Sequence, residues 1–140
     1  MTRYLLDTNV VSELRRARPD PAVVRWFDDA RSGELFLSVL TVGEIRLGVL
    51  RLRERDPRQA EAIGAWLDGL EAGYAGRILP VDAAVARRSA ELTTARPLPV
   101  VDALIAATAV EHGAVLVTRS TADLAGVDVP MIDPFGFHVG

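Results

Sequence analysis

Three very short apolar runs, Tyr4-Leu5-Leu6, Leu35-Phe36-Leu37 and Ala114-Val115-Leu116-Val117, constrain the fold of this chain more than anything else in it. Each is too short for a helical stripe, and each is apolar on consecutive residues, as a strand covered on both faces must be. The stretches between them are helical in pattern. A first strand is expected over residues 3–7 and a first helix over 9–16, broken by Pro19 and Pro21. Pro21 suits the first turn of a second helix, with Val23, Val24 and Phe27 inward and Gly33 ending it. Strand two covers 35–37, and Thr41 begins a helix carrying Ile45, Val49 and Leu52. Asp56-Pro57 opens a fourth helix, whose Ile63, Trp66, Leu67 and Leu70 recur at i, i+3, i+4 and i+7 and read as core or subunit interface. A Pro-marked third strand is expected over 77–81. Asp82 caps the next helix, which residues 96–99 stop. Pro99 then opens a nearly all-apolar helix closed by His112-Gly113. Strand four is 114–117, and 130–132 gives a fifth.

Short buried strands alternating with helices predict an α/β fold around a parallel sheet covered on both sides. Right-handed crossovers bring the carboxyl ends of such strands to one edge. Asp7 leaves strand one there, and residues 118–123 leave strand four there, so both should face one crevice.

At 140 residues the chain is expected to form one domain, 1–140. No window reaches the roughly 18 apolar residues of a membrane span. The first residues lack the apolar region of a signal peptide, and there is no cysteine, so a cytoplasmic protein is expected. All 16 basic residues are arginine, which excludes any mechanism that needs lysine. A formal charge of −3 argues against indiscriminate binding of polyanions.

Four carboxylates stand out: Asp7, Glu44, Asp102 and Asp123. Each has a local explanation. Asp7 can cap the helix after it, and Glu44 follows Thr41 by the three residues of a capping box. Asp102 lies in the first turn of its helix, and Asp123 follows Ser120 by three. Asp102 strains its local explanation most, because the helix around it is apolar on nearly every side and is expected to bury it. An unpaired buried carboxylate costs several kcal/mol, so a cation or a cluster of donors must compensate; with no lysine in the chain, a divalent metal is the economical partner. All-oxygen ligation points to Mg²⁺ or Mn²⁺ rather than zinc. The two histidines, His112 and His138, lack metal-ligand spacing and read as surface residues.

The segment 5–14, Leu-Leu-Asp-Thr-Asn-Val-Val-Ser-Glu-Leu, resembles the first motif of the PIN-domain family, and within it of the VapC-type toxins of bacterial toxin–antitoxin pairs. Residues 40–48 around Glu44, 99–107 around Asp102 and 115–124 around Asp123 are similar to the family's later motifs, in the same order. Met131-Ile132-Asp133-Pro134-Phe135 resembles the close of many such toxins. Two positions depart: Ser120 stands where Asn is common, and Leu124 where Phe is frequent.

The resemblance implies a PIN-like three-layer α/β/α fold with a central parallel sheet of four or five short strands. It also implies a Mg²⁺-dependent endoribonuclease (Mn²⁺ being the other candidate) that hydrolyses structured RNA such as tRNA or rRNA. A cognate VapB-like antitoxin would restrain it, and the toxin would be a homodimer, with faces such as the Trp66 stripe as contact surface. Asp7 and Asp102 would be the main metal ligands. Glu44 would bind through water or act as base, and Asp123 would complete a second metal position or the outer part of the site. Thr8, Asn9, Thr118 and Ser120 suit supporting hydrogen bonds, and Arg46 and Arg119 suit RNA phosphates.

Rival α/β readings fare worse. A response regulator needs a lysine, a haloacid-dehalogenase-type phosphatase wants Asp where Asn9 stands, and a dinucleotide domain needs a glycine-rich first turn. A PIN-like module that binds RNA or protein without cutting is the remaining alternative. It would be expected to lose one or more of the acids, and all four are present.

Overall fold

Strand β1 (Arg3–Leu6) occupies the middle of a five-stranded parallel sheet in the computed structural model, which describes residues 2–136. The other strands are β2 (Leu35–Ser38), β3 (Ile78–Leu79), β4 (Ala114–Val117) and β5 (Met131–Ile132), in the order β3-β2-β1-β4-β5. Leu6 lies opposite Leu37 on one side and Val117 on the other, so the central strands end level with one another. The chain reverses its winding direction at β1, and the crevice beyond β1 and β4 is where such folds place their chemistry.

Alternation along the strands splits the core in two. Leu6, Leu35, Leu37 and Val117 pack in one cluster with Val10, Val11, Val23 and Leu67. These come from α1 (Thr8–Arg15), α2 (Pro21–Asp29) and α4 (Pro57–Gly73), and Ile45 joins them from α3 (Val39–Leu52). Leu5, Ala114 and Leu116 face the other way, onto Ile105, Ala106 and Ala109 of α6 (Val100–Glu111). Helix α5 (Ala83–Ala95) packs against α6. Each fully buried Leu contributes about 2 kcal/mol of burial, which fixes the register of strands this short.

Several boundaries move from the sequence-based expectation. Asp7 ends the ladder and caps α1, which starts at Thr8. Helix α3 starts at Val39, two residues before Thr41, because Ser38 is its cap and accepts a hydrogen bond from the Leu40 amide. Thr41 and Glu44 therefore form no capping box. Strand β3 shrinks to two residues. Of the Trp66 stripe, Leu67 is fully buried, while Ile63, Trp66 and Leu70 pack half-buried on the chain's own core. Gly113 takes φ 61° directly after the α6 cap His112, a left-handed stop that glycine adopts without strain. His112 is half-buried, and His138 lies outside the described residues.

Candidate active site

Asp7 is fixed through its backbone before its side chain does anything. Its amide donates to the Val117 carbonyl at 2.9 Å, extending the β1–β4 pairing by one residue, and its carbonyl accepts from Val10 and Val11. The carboxylate is then held at both oxygens. Oδ1 accepts from the Thr8 amide at 2.7 Å, and Oδ2 accepts from the Thr118 hydroxyl at 2.7 Å. A carboxylate offers about four lone-pair sites, so capacity remains for a further ligand.

Thr118 is fully buried, and its hydroxyl also accepts from the Ser120 amide at 3.0 Å. The Asn9 side chain lies across this turn. Its amide nitrogen stands 3.3 Å from Ser120 Oγ and 3.4 Å from Thr118 Oγ1, and reaches Asp7 Oδ2 only at the 3.5 Å limit. Its carbonyl oxygen accepts from the Arg119 amide. The start of α1 and the loop after β4 are thus joined into one polar seam around Asp7.

Glu44 joins from α3 through Thr8. Thr8 Oγ1 lies 2.9 Å from Glu44 Oε1 and 3.0 Å from Thr41 Oγ1. A hydroxyl has one proton and an ionised carboxylate only accepts, so the chain of donation runs Thr41 to Thr8 to Glu44. Glu44 itself is exposed, while Thr41 is fully buried.

Asp102 sits in the first turn of α6, half-buried rather than enclosed. The apolar pattern of α6 overstated its burial. The helix buries Ala103 and everything from Ile105 to Ala109, but its first turn projects from the sheet, leaving Val100 72% exposed. Desolvation still raises the Asp102 pKa, and the negative charges of Asp7 and Asp123 raise it further. Three of the four predicted acids therefore share one field. Asp123 is exposed and lies in a turn with no helix for it to cap.

No ion pair among the described residues involves any of the four acids, so the fold supplies no guanidinium to neutralise them. Nor is any group of three or more acidic or histidine side chains among the described residues arranged to hold a metal ion by itself. The described residues thus form no closed all-protein cage. That matches the habits of Mg²⁺, which takes one or two carboxylates and completes its shell with water and substrate phosphate. The residues fit such an ion: a doubly oriented Asp7, an Asp102 destabilised by uncompensated charge, and only oxygen donors.

The two predicted phosphate-binding arginines part company. Arg46 hydrogen-bonds Asp68 at 2.6 Å and Glu71 at 3.5 Å, which ties its guanidinium to α4. Proximity in sequence to Glu44 did not reveal this, because Arg46 leaves α3 toward its helical neighbour. Arg119 is exposed, with its guanidinium 4.3 Å above the Phe135 ring.

Two supporting residues escaped the sequence reading. Thr41 carries the donation to Thr8. Glu13, only 6% exposed, accepts from the Asp20 amide and pairs with Arg16, tying α1 to the start of α2. Its position three residues after Val10, on the core-facing side of α1, was the available signal.

Comparison with known proteins identifies the family and the fold. The family model for the PIN domain matches residues 4–128. The chain belongs to the PIN-domain family. This PIN domain is 37% identical to VapC ribonuclease Y4jK of Sinorhizobium fredii, across 94% of its own length and 96% of that protein's. It superposes on the crystal structure of FitAcB from Neisseria gonorrhoeae with a TM-score of 0.89 at 34% identity, covering 95% of this chain and 99% of that one. A toxin–antitoxin complex from Klebsiella pneumoniae gives a TM-score of 0.69 at 25% identity, covering 94% and 97%. The central parallel sheet with helices on both faces is the α/β architecture that the strand pattern predicted, and the PIN-like fold that the resemblance implied.

Proposed function

We propose that this PIN domain is a metal-dependent endoribonuclease of the VapC type, a toxin restrained by a cognate antitoxin and active as a homodimer. The observation that carries the reading is Asp102, whose pKa is raised by burial and then by the charges of Asp7 and Asp123, with no ion-paired cation among the described residues to relieve it. The full-length similarity to a protein named a VapC ribonuclease supports the substrate class. The similarity to a chain of a toxin–antitoxin complex supports the partner.

Asp7 and Asp102 would hold Mg²⁺, with Mn²⁺ as a substitute, and Asp123 would act from the outer side. When bound, the ion supplies Lewis-acid charge for the phosphate and acidifies a water. Asp7 keeps a fixed orientation because Thr8 and Thr118 each hold one of its oxygens. Glu44, exposed and steadied by Thr8, is the group free to take the proton of an attacking water. Asn9 and Ser120 hold the Thr118 turn, so the donor to Asp7 stays in place as RNA enters.

The test is cleavage of a structured RNA by the purified chain with Mg²⁺, with EDTA, and after Asp7→Asn or Asp102→Asn. Cleavage only with metal, lost in both variants, is expected. Cleavage that survives EDTA, or products ending in 2′,3′-cyclic phosphate, would refute water attack at a metal centre.

A further inference from the structure

A cavity of about 340 Å³ lies between the α1–α2 turn and the loop after β4, where Arg119 follows the Thr118 that holds Asp7. Three arginines line it, Arg16, Arg18 and Arg119, together with Glu13, Asp20 and Phe135. Both acids are already engaged by the fold. Glu13 binds Arg16 and the Asp20 amide, and Asp20 caps α2 through the Ala22 amide. Arg18 and Arg119 have no ion pair among the described residues. Both therefore line the cavity without an ion-paired carboxylate among the described residues.

Arg119 is also placed with unusual definition for an exposed arginine. Its backbone sits between Thr118, which holds Asp7, and Ser120, and its amide donates to Asn9. Its guanidinium lies over the buried Phe135 ring. Contact with an aromatic ring leaves guanidinium N–H donors available, and a guanidinium can hold a phosphate bidentately.

We infer that this cavity is a phosphate subsite for the RNA strand, in which Arg119, braced on Phe135, and Arg18 grip a backbone phosphate next to the one being cut. The inference rests on the ribonuclease reading and adds the direction in which the strand leaves the acids, toward the α1–α2 turn. It also explains how a protein of net charge −3 with an acidic centre holds a polyanion: local guanidiniums beside the acids, rather than overall charge.

The test is anisotropy of a short fluorescein-labelled single-stranded RNA, titrated with the full chain in EDTA over a series of salt concentrations. Arg18→Ala and Arg119→Ala should each weaken binding several-fold and flatten the log–log salt slope by about 0.7, the contribution of one single-strand phosphate contact. Phe135→Leu should weaken binding while leaving the slope nearly unchanged, because the charge remains and only its brace is lost. Arg31→Ala, on an exposed arginine beside the opposite end of the sheet, should change neither. Unchanged affinity and slope in both Arg18→Ala and Arg119→Ala would overturn the subsite, as would be expected if the cavity instead received an acidic protein segment. Failure of the ribonuclease reading looks different: a wild-type chain that never cuts RNA with Mg²⁺, whatever these variants do to binding.

Discussion

Replacing Thr118 by valine removes one oxygen and little else, which makes it a sharp probe of how Asp7 is held. The side chain is fully buried, so Val fills nearly the same space. Its hydroxyl donates to Asp7 Oδ2 at 2.7 Å and accepts from the Ser120 amide at 3.0 Å. Losing a hydrogen bond to a charged group costs about 1.5–3 kcal/mol, and the Ser120 amide, in a half-buried turn, can recover a water. A net loss of about 2 kcal/mol is expected, seen as a fall of roughly 5–10 °C in Tm. The functional effect should be larger than the fold effect. An outer hydrogen bond that orients a metal ligand is worth about 10–100-fold in metal affinity or activity. The Mg²⁺ concentration for half-maximal cleavage should rise by that factor, and Mn²⁺ titration by calorimetry should weaken in parallel. Thr118→Ser, which keeps the hydroxyl, should stay near wild type. A Thr118→Val protein with wild-type metal dependence would show that Asp7 needs no such support, and the account of the site would fail.

Asp102→Asn should abolish cleavage and yet stabilise the metal-free protein near neutral pH. The folded pKa of Asp102 is raised, so its ionised form is disfavoured by the fold above that pKa, and the penalty is relieved as pH falls through it toward the ordinary 3.8. The stability gap between variant and wild type, from denaturant melts without metal, should shrink over that range; a pH-independent gap would contradict the charge origin. Glu13→Ala should cost about 1–3 kcal/mol by orphaning the Asp20 amide, while leaving the metal dependence of cleavage unchanged. Arg46→Ala should change stability little, as is usual for a solvent-exposed ion pair, and leave RNA affinity untouched, since its partners are Asp68 and Glu71. A weakened RNA complex would return Arg46 to the substrate side.

The strands were legible because burial on both faces leaves a short, unbroken apolar run, and their order of appearance with helices between them dictates a parallel sheet. Asp7 was legible for the same reason, as the first polar residue where such a run ends. What the sequence hid are properties of surfaces that meet only after folding. The cap of α3 was misplaced because Ser38 and Thr41 are equally good capping residues, and only the end of β2 chooses between them. Asp102 seemed buried because composition describes a helix as a whole, while burial depends on how far its first turn reaches past the sheet. Arg46 and Arg119 are both arginines near a motif acid, yet α4 captures one and Phe135 braces the other.

The central position of β1 also has a consequence in time. Asp7 receives its orienting hydrogen bond from a residue 111 positions later, and its backbone pairs with β4. Pairings this distant close late in folding, after the intervening loop entropy has been overcome. On the ribosome, Asp7 stands alone until α6 and Thr118 have followed it out of the exit tunnel. A chain interrupted anywhere before that point carries the first carboxylate with neither its brace nor Asp102 in place. A site built this way comes together only after residues more than a hundred positions apart have both been made and paired.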